Sequence, residues 1–356
     1  MKKSLIALAA LAAISSTSFA QSSVTLFGVV DAAYTYGKSD ANKVSSMSGS
    51  GSSASSRLGF RGEEDLGGGM KAGFWLEAGV NVDSGIGQGN NTNNQSTGQV
   101  AATTTLGSQG LNFNRRSTVS LMGGFGEVRL GRDYTPTFWS QTAYDPFGTV
   151  GVGASQANAG ANPASNWDGV RASNSIGYLS PTFNGLALWA QTHMGENQSN
   201  AAAGKKTGGG SGLRVTYASG PLSLAVATAA NDTGVGTTRK NTNVAGSYDL
   251  GIAKLMALSS VEKITGSSDV KGYLLGATAP LGSGTLKFSY TESKQDANKA
   301  NKTAIGYVYG LSKRTNLYTT LASVKNSGTS AVSLGGTTGV AGQSSTGMDF
   351  GVTHSF

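Results

Sequence analysis

Cysteine is absent from this chain of 356 residues. That excludes disulfide frameworks, thiolate metal sites and cysteine nucleophiles. Histidine occurs only twice, too rarely for a histidine-rich metal centre, so no metal and no cofactor are expected. Charge is scarce too. Asp, Glu, Lys and Arg together supply 13% of the residues, about half the share of an ordinary soluble domain. Apolar residues reach only 38%, below a typical soluble enzyme. After the first twenty residues no apolar run approaches the ~18 residues that a membrane-crossing helix needs. What the chain has in excess is glycine, 53 residues, without the every-third-residue period that would mark collagen.

The first residues read as an export address. Met1-Lys2-Lys3 is a short positive start, Ser4 to Ile14 is apolar, and Ser18-Phe19-Ala20 offers small residues on both sides of Phe19. Cleavage is expected between Ala20 and Gln21. Residues 1–20 are then a signal peptide and 21–356 a single domain. Loss of Lys2 and Lys3 lowers the formal charge from +8 to +6.

The mature chain alternates with a period of two nearly everywhere. Val24, Leu26, Val30, Ala32, Tyr34 and Tyr36 share one parity, while Thr25, Asp31 and Thr35 take the other. Leu286, Phe288 and Tyr290 alternate with Lys287 and Ser289. Such strands have one face in an apolar medium and one in a polar medium. Sixteen are expected, at 24–36, 57–65, 70–82, 113–123, 127–134, 170–180, 186–194, 212–218, 222–230, 242–250, 253–262, 270–278, 285–293, 303–310, 316–325 and 347–356. Their connections alternate in length. Short ones include Gly124-Phe125-Gly126 and Ser219-Gly220-Pro221. Long ones are expected at 37–56, 83–112, 134–169, 195–211, 231–241, 263–269, 294–302 and 326–346. Tight turns at one end and long loops at the other are the pattern of an outer-membrane barrel. Lipid cannot satisfy backbone polar groups, so strands cross it only as a closed ring. The fold class is therefore all-β, a 16-stranded antiparallel transmembrane β-barrel. Met348, Phe350, Val352, His354 and Phe356 share one parity, and Phe356 ends an alternating strand in an aromatic, the outer-membrane assembly signal.

Several stretches taken in order resemble the general trimeric porins of Gram-negative outer membranes. They are QSSVTLFGVVD at 21–31, SRLGFRGEEDL at 56–66, GFWLE at 73–77, RRSTVSL at 115–121, GEVRLGRD at 126–133, and the terminal Phe356. The similarity is greatest to the beta-proteobacterial branch, whose members are often anion-selective. It covers essentially the whole mature chain. The resemblance implies a homotrimer in outer-membrane lipid and lipopolysaccharide, with the third external loop folded into the lumen. It implies passive diffusion of small hydrophilic solutes and ions, with anion preference, through a constricted aqueous pore. It places Arg57, Arg115, Arg116 and Arg171 at wall positions that are commonly basic.

Alternation tests those placements. Leu58 and Phe60 suit lipid, which turns Arg57 and Arg61 inward. Ile176 and Tyr178 suit lipid, which turns Arg171 inward. Val119 and Leu121 suit lipid, which turns Arg116 inward and leaves Arg115 outward unless a bulge shifts the register. Glu77 and Asp31 have the inward parity and temper the positive field. The constriction loop is expected at about Tyr134 to Asp168, with Asp145 and Asp168 as its acids. Tyr34, Tyr36, Trp75, Tyr178, Tyr290 and Tyr307 are candidates for the aromatic girdles, with Trp75 inside or at a subunit contact.

The alternative is a substrate-specific porin for anionic or sugar solutes. Phe138, Trp139, Tyr144, Phe147 and Trp167 near the loop form no recognisable sugar track. An enzyme is not expected, because neither His193 nor His354 has an evident catalytic partner. Nucleic acid is not expected as a partner either, since the basic residues are scattered without aromatic interleaving.

Overall fold

The computed structural model of the protein describes residues 23–89, 110–155, 169–198, 204 and 206–356. Ala20, Gln21, Trp167 and Asp168 lie outside the described residues. The barrel strands are β1 Ser23–Ser39, β2 Arg57–Gly67, β3 Met70–Asn81, β4 Arg116–Gly123, β5 Gly126–Tyr134, β6 Arg171–Leu179, β7 Leu186–His193 and β8 Gly210–Ser219. They continue with β9 Leu222–Gly234, β10 Thr237–Asp249, β11 Lys254–Ile264, β12 Val270–Leu281, β13 Gly284–Gln295, β14 Asn298–Gly310, β15 Thr315–Ser327 and β16 Ser345–Ser355. Short strand pieces at Lys43–Met47 and Ile86–Gly87 fold back on β1 and β3. One helix, α1 Pro136–Ala143, follows β5.

Every barrel strand pairs antiparallel with its neighbours, and β1 closes the ring. Its first half pairs with β2, from Ser23 opposite Glu63 to Val29 opposite Arg57. Its second half pairs with β16, from Val29 opposite Ser355 to Ser39 opposite Ser345. No barrel strand is left as an open edge, which is the condition for backbone to cross lipid.

Burial follows the same alternation. Val24, Val30, Val119, Ile176, Val226, Leu275, Ile305, Leu321 and Phe350 are exposed on the outer face. Asp31, Thr118, Asn243, Ser289, Thr291 and Asp349 are buried on the inner face. This inverts a soluble protein and fits a ring with lipid outside and polar groups inside.

Two of the expected long loops, 231–241 and 294–302, are instead mostly strand, and that at 263–269 is shorter than expected. The connections at 231–241, 263–269 and 294–302 shrink because β9 runs on to Gly234, β11 to Ile264 and β14 begins at Asn298. Tight turns at Gly236 and Asp296, both with positive φ, close two of these hairpins. Above the apolar band a strand needs only its pairing partner, so polar alternation continues the ladder into water.

Candidate functional site

The segment after β5 lies along the inner wall. Thr135 caps α1, its hydroxyl accepting from the Phe138 amide at 3.3 Å, and Pro136 occupies the first turn. Asn243 on β10 donates to the Thr137 carbonyl at 3.1 Å, and the Tyr144 and Ser223 hydroxyls are 2.8 Å apart. Two glycines then allow close approach. A Cβ at Gly276 would sit 2.5 Å from Pro146 Cγ, and one at Gly306 would sit 2.8 Å from Phe147 Cε1. Farther round, the Val152 amide donates to Asp349 Oδ2 at 2.8 Å. Lys302 Nζ donates to the carbonyls of Val152, at 3.1 Å, and Ala154. The loop thus follows the wall from β8 to β16.

Asp145 does not face the pore, contrary to expectation. Only 5% of it is exposed. Its carboxylate accepts the amides of Phe147 at 2.9 Å, Thr149 at 3.0 Å and Ser155 at 2.7 Å. Burial pushes this carboxyl above its ordinary range against the pull of those amides. A short loop that turns sharply leaves several amides pointing one way, and an acid buried among them satisfies them. Asp31 is likewise inward but withdrawn from the pore. It accepts the amides of Ser52, Ser53 and Ala54 and the Tyr318 hydroxyl.

The wall opposite the loop carries the charge. Glu77 accepts from Arg115 Nε at 2.6 Å and from Trp75 Nε1 at 3.0 Å, and it lies 3.8 Å from Arg57 Nε. Arg57 also donates to the Ser55 carbonyl at 2.8 Å. Arg116 pairs in register with Glu77, yet the Arg115 amide also donates to the Glu77 carbonyl at 3.1 Å. Two residues therefore stand opposite one, the arrangement of a bulge. It turns both Arg115 and Arg116 inward and resolves the choice that alternation left open.

Arg171 donates to the Arg115 carbonyl at 2.9 Å and to the Tyr134 hydroxyl at 2.8 Å, with its guanidinium 4.3 Å from the Tyr134 ring centre. Arg61 is inward but does not line the same cavity. It lies over the rings of Phe27 and Trp75, at 5.3 and 5.2 Å. Trp75 is therefore inside, edge-on to Phe27 at 4.9 Å, and is not a girdle residue.

These groups surround one cavity of about 820 Å³, lined by six arginines and two carboxylates among the described residues. Arg57, Arg115, Arg116, Arg171 and Glu77 were singled out from sequence. Arg129, Arg214 and Asp133 were not. Arg129 binds Glu127 and Asp133, at 2.9 and 2.5 Å. Arg214 alternates with Leu213 and Val215, and Arg129 with Val128 and Leu130, so parity alone could have flagged both. Arg132 turns inward through a register shift between Gly131 and Asp133, to the Asn114 carbonyl at 2.6 Å and Ser173 Oγ at 2.9 Å, and alternation would have missed it. From the loop, Phe138 and Trp139 also line the cavity, both packed on Tyr134. Tyr144 and Phe147 are buried behind it.

Fixed cations in a water-filled passage with low-dielectric walls act on passing ions by their field. A closed barrel, apolar outside and charged within, with a loop along its inner wall, is a β-barrel channel. The chain belongs to the Gram-negative porin family, which it matches over residues 7–329. It is 41% identical to outer membrane porin protein 32 of Delftia acidovorans, over the whole of both chains. It is 28% identical to an outer membrane porin protein of Bordetella pertussis, covering 92% of this chain and 95% of that one. The anion-selective porin from Comamonas acidovorans superposes with a TM-score of 0.82 at 39% identity, over 94% of this chain and all of that chain. OmpT of Vibrio cholerae shares the fold at a TM-score of 0.63 and 13% identity, over 94% of this chain and 98% of that one. The family and the porins among these relatives are channels rather than enzymes, and the protein is an outer-membrane barrel.

Proposed function

We propose that the protein is a general diffusion pore with a preference for anions, and that Arg57, Arg115, Arg116, Arg171 and Glu77 form its constriction. The observation that carries this reading is the excess of arginine over carboxylate around one cavity. The described part of the loop adds no acid to that cavity, because Asp145 is turned into its own backbone. Arginine keeps its charge at any working pH, so the field does not titrate away. The likeness to an anion-selective porin supports the same reading. The pore catalyses no reaction in this proposal and needs no cofactor. We also infer a homotrimer, and removal of residues 1–20 between Ala20 and Gln21.

The test is the reversal potential of the purified protein in a planar bilayer under a salt gradient. An anion-selective sign is expected, and weaker anion preference in the double variant Arg57→Ala/Arg171→Ala with assembly intact. A cation-selective sign would overturn the reading. A substrate-specific pore is the second reading, favoured by Tyr134, Phe138 and Trp139 packed together beside the arginines. Saturable block of the current by one sugar or organic anion at micromolar concentration would select it.

A further inference from the structure

The cavity that holds the arginines is also lined by aromatic rings: Phe27, Trp75, Tyr134, Phe138, Trp139 and Trp189. A passage for water and simple ions needs charge and polar groups, and a large apolar face left in water carries a cost. Most of these rings are already covered. Arg61 lies over Phe27, and Arg61 and Arg116 both lie over Trp75. Arg171 lies over Tyr134, and Phe138 stacks on the same ring at 5.5 Å. Trp189 is buried. Trp139 differs. It meets Tyr134 at a tilt, with ring centres 5.3 Å apart, and 42% of it stays exposed. Because α1 lies along the inner wall and Trp139 lines the cavity, the exposed part of the indole faces the passage.

The cations divide in the same way. Glu77 serves Arg115 and Arg57. Asp133 and Glu127 serve Arg129, and Asp133 also lies 3.8 Å from Arg116. Arg171 is bound to the Arg115 carbonyl and the Tyr134 hydroxyl. Arg214 makes no ion pair or hydrogen bond among the described residues, and its Nε is buried without a partner. Its strand, β8, packs against α1. Pro136, at the start of α1, lies 3.3 Å from where a Cβ of Gly212 would be, one inward position from Arg214. One uncovered ring and one unspent cation therefore border the same cavity.

We propose that Trp139 and Arg214 form a subsite for aromatic carboxylates, the ring of the solute lying against the indole and its carboxylate meeting the guanidinium. Aromatic rings gain from offset or edge-on packing beyond the area they bury. A guanidinium offers a carboxylate two parallel hydrogen bonds. Chloride uses only the charge and a neutral ring only the indole, whereas an aromatic anion uses both. The subsite rests on the reading of the chain as an anion-preferring pore and adds to it a preference among anions.

The test is block of the potassium chloride current through the purified protein in a planar bilayer at neutral pH. The blockers are benzoate, cyclohexanecarboxylate, acetate and benzyl alcohol. Benzoate and cyclohexanecarboxylate carry the same charge and similar bulk, and only benzoate has an aromatic face. Benzoate should reach half-block at a concentration roughly two- to tenfold lower than cyclohexanecarboxylate. Acetate should be weaker still, and benzyl alcohol should not block. Trp139→Leu should erase the difference between the two ring acids, and Trp139→Phe should keep it. Arg214→Gln should raise the half-block concentration of both ring acids roughly tenfold. Heat-modifiable gel mobility verifies that each variant assembles. Equal block by the two ring acids, a difference that survives Trp139→Leu, or unchanged block in Arg214→Gln would overturn the proposal. The reversal potential in potassium chloride is read on the same membranes. A cation-selective potential would count against the proposed function, whereas equal block in an anion-selective pore would count against the subsite alone.

Discussion

Glu77 touches three of the groups that define the cavity: Arg115, Arg57 and Trp75. Its charge both holds the arginines in place and subtracts from their field. Glu77→Gln should therefore move the reversal potential further toward anion preference. It should also weaken the folded barrel, because a hydrogen bond between charged groups contributes about 1.5–3 kcal/mol. Bilayer recordings and thermal unfolding of the same variant check both effects, and a shift toward cations would contradict the geometry. The inward direction of Arg57 and Glu77 was legible from parity; Arg171 also faces inward, although its strand is irregular between Ala172 and Ser175, with Asn174 at positive φ. The direction of Arg115 was not legible, because the doubling opposite Glu77 is a property of two paired strands. Asp145 was misplaced for a related reason. An acid in a glycine-rich loop looks free to face the pore until the orphaned amides around it are seen.

At the scale of the element, the loop after β5 is held by packing, by hydrogen bonds to Ser223, Asn243 and Asp349, and by Lys302. The Phe147 ring lies against Gly306, where there is no room for a Cβ. Gly306→Val should push the loop off the wall and into the passage, lowering single-channel conductance, with an overpacking cost of about 1–3 kcal/mol. An unchanged conductance would mean that this contact does not set the loop's position. Lys302 is 1% exposed and binds two loop carbonyls. Lys302→Met should release that part of the loop, and open-channel current noise should rise while the barrel persists. Neither contact can be read from sequence, since 147 and 306 are remote in the chain and a glycine in a strand does not say what lies against it. The strand extensions at the external end were hidden for a simpler reason. Polar residues alternating with polar residues read as loop, although pairing makes them strand.

At the scale of the whole molecule, closure depends on the seam between β1 and β16. Phe356 completes it. Its amide donates to the Gly28 carbonyl at 3.1 Å, the Gly28 amide donates to the Phe356 carbonyl at 3.0 Å, and its ring covers Gly28. Deleting Phe356 should reduce the yield of assembled, heat-modifiable barrel severalfold, read from gel mobility with and without boiling. Full assembly of the truncated chain would show that the last ladder step and its ring are dispensable.

Sixteen strands and their lipid and lumen faces were determined by the sequence alone. A bilayer imposes period-two patterning on each strand, and that pattern is local. The tertiary structure alone decided which loop residues face the passage and which arginines share one cavity. Those depend on register, bulges and contacts between residues far apart in the chain, and each appears only when the ring closes.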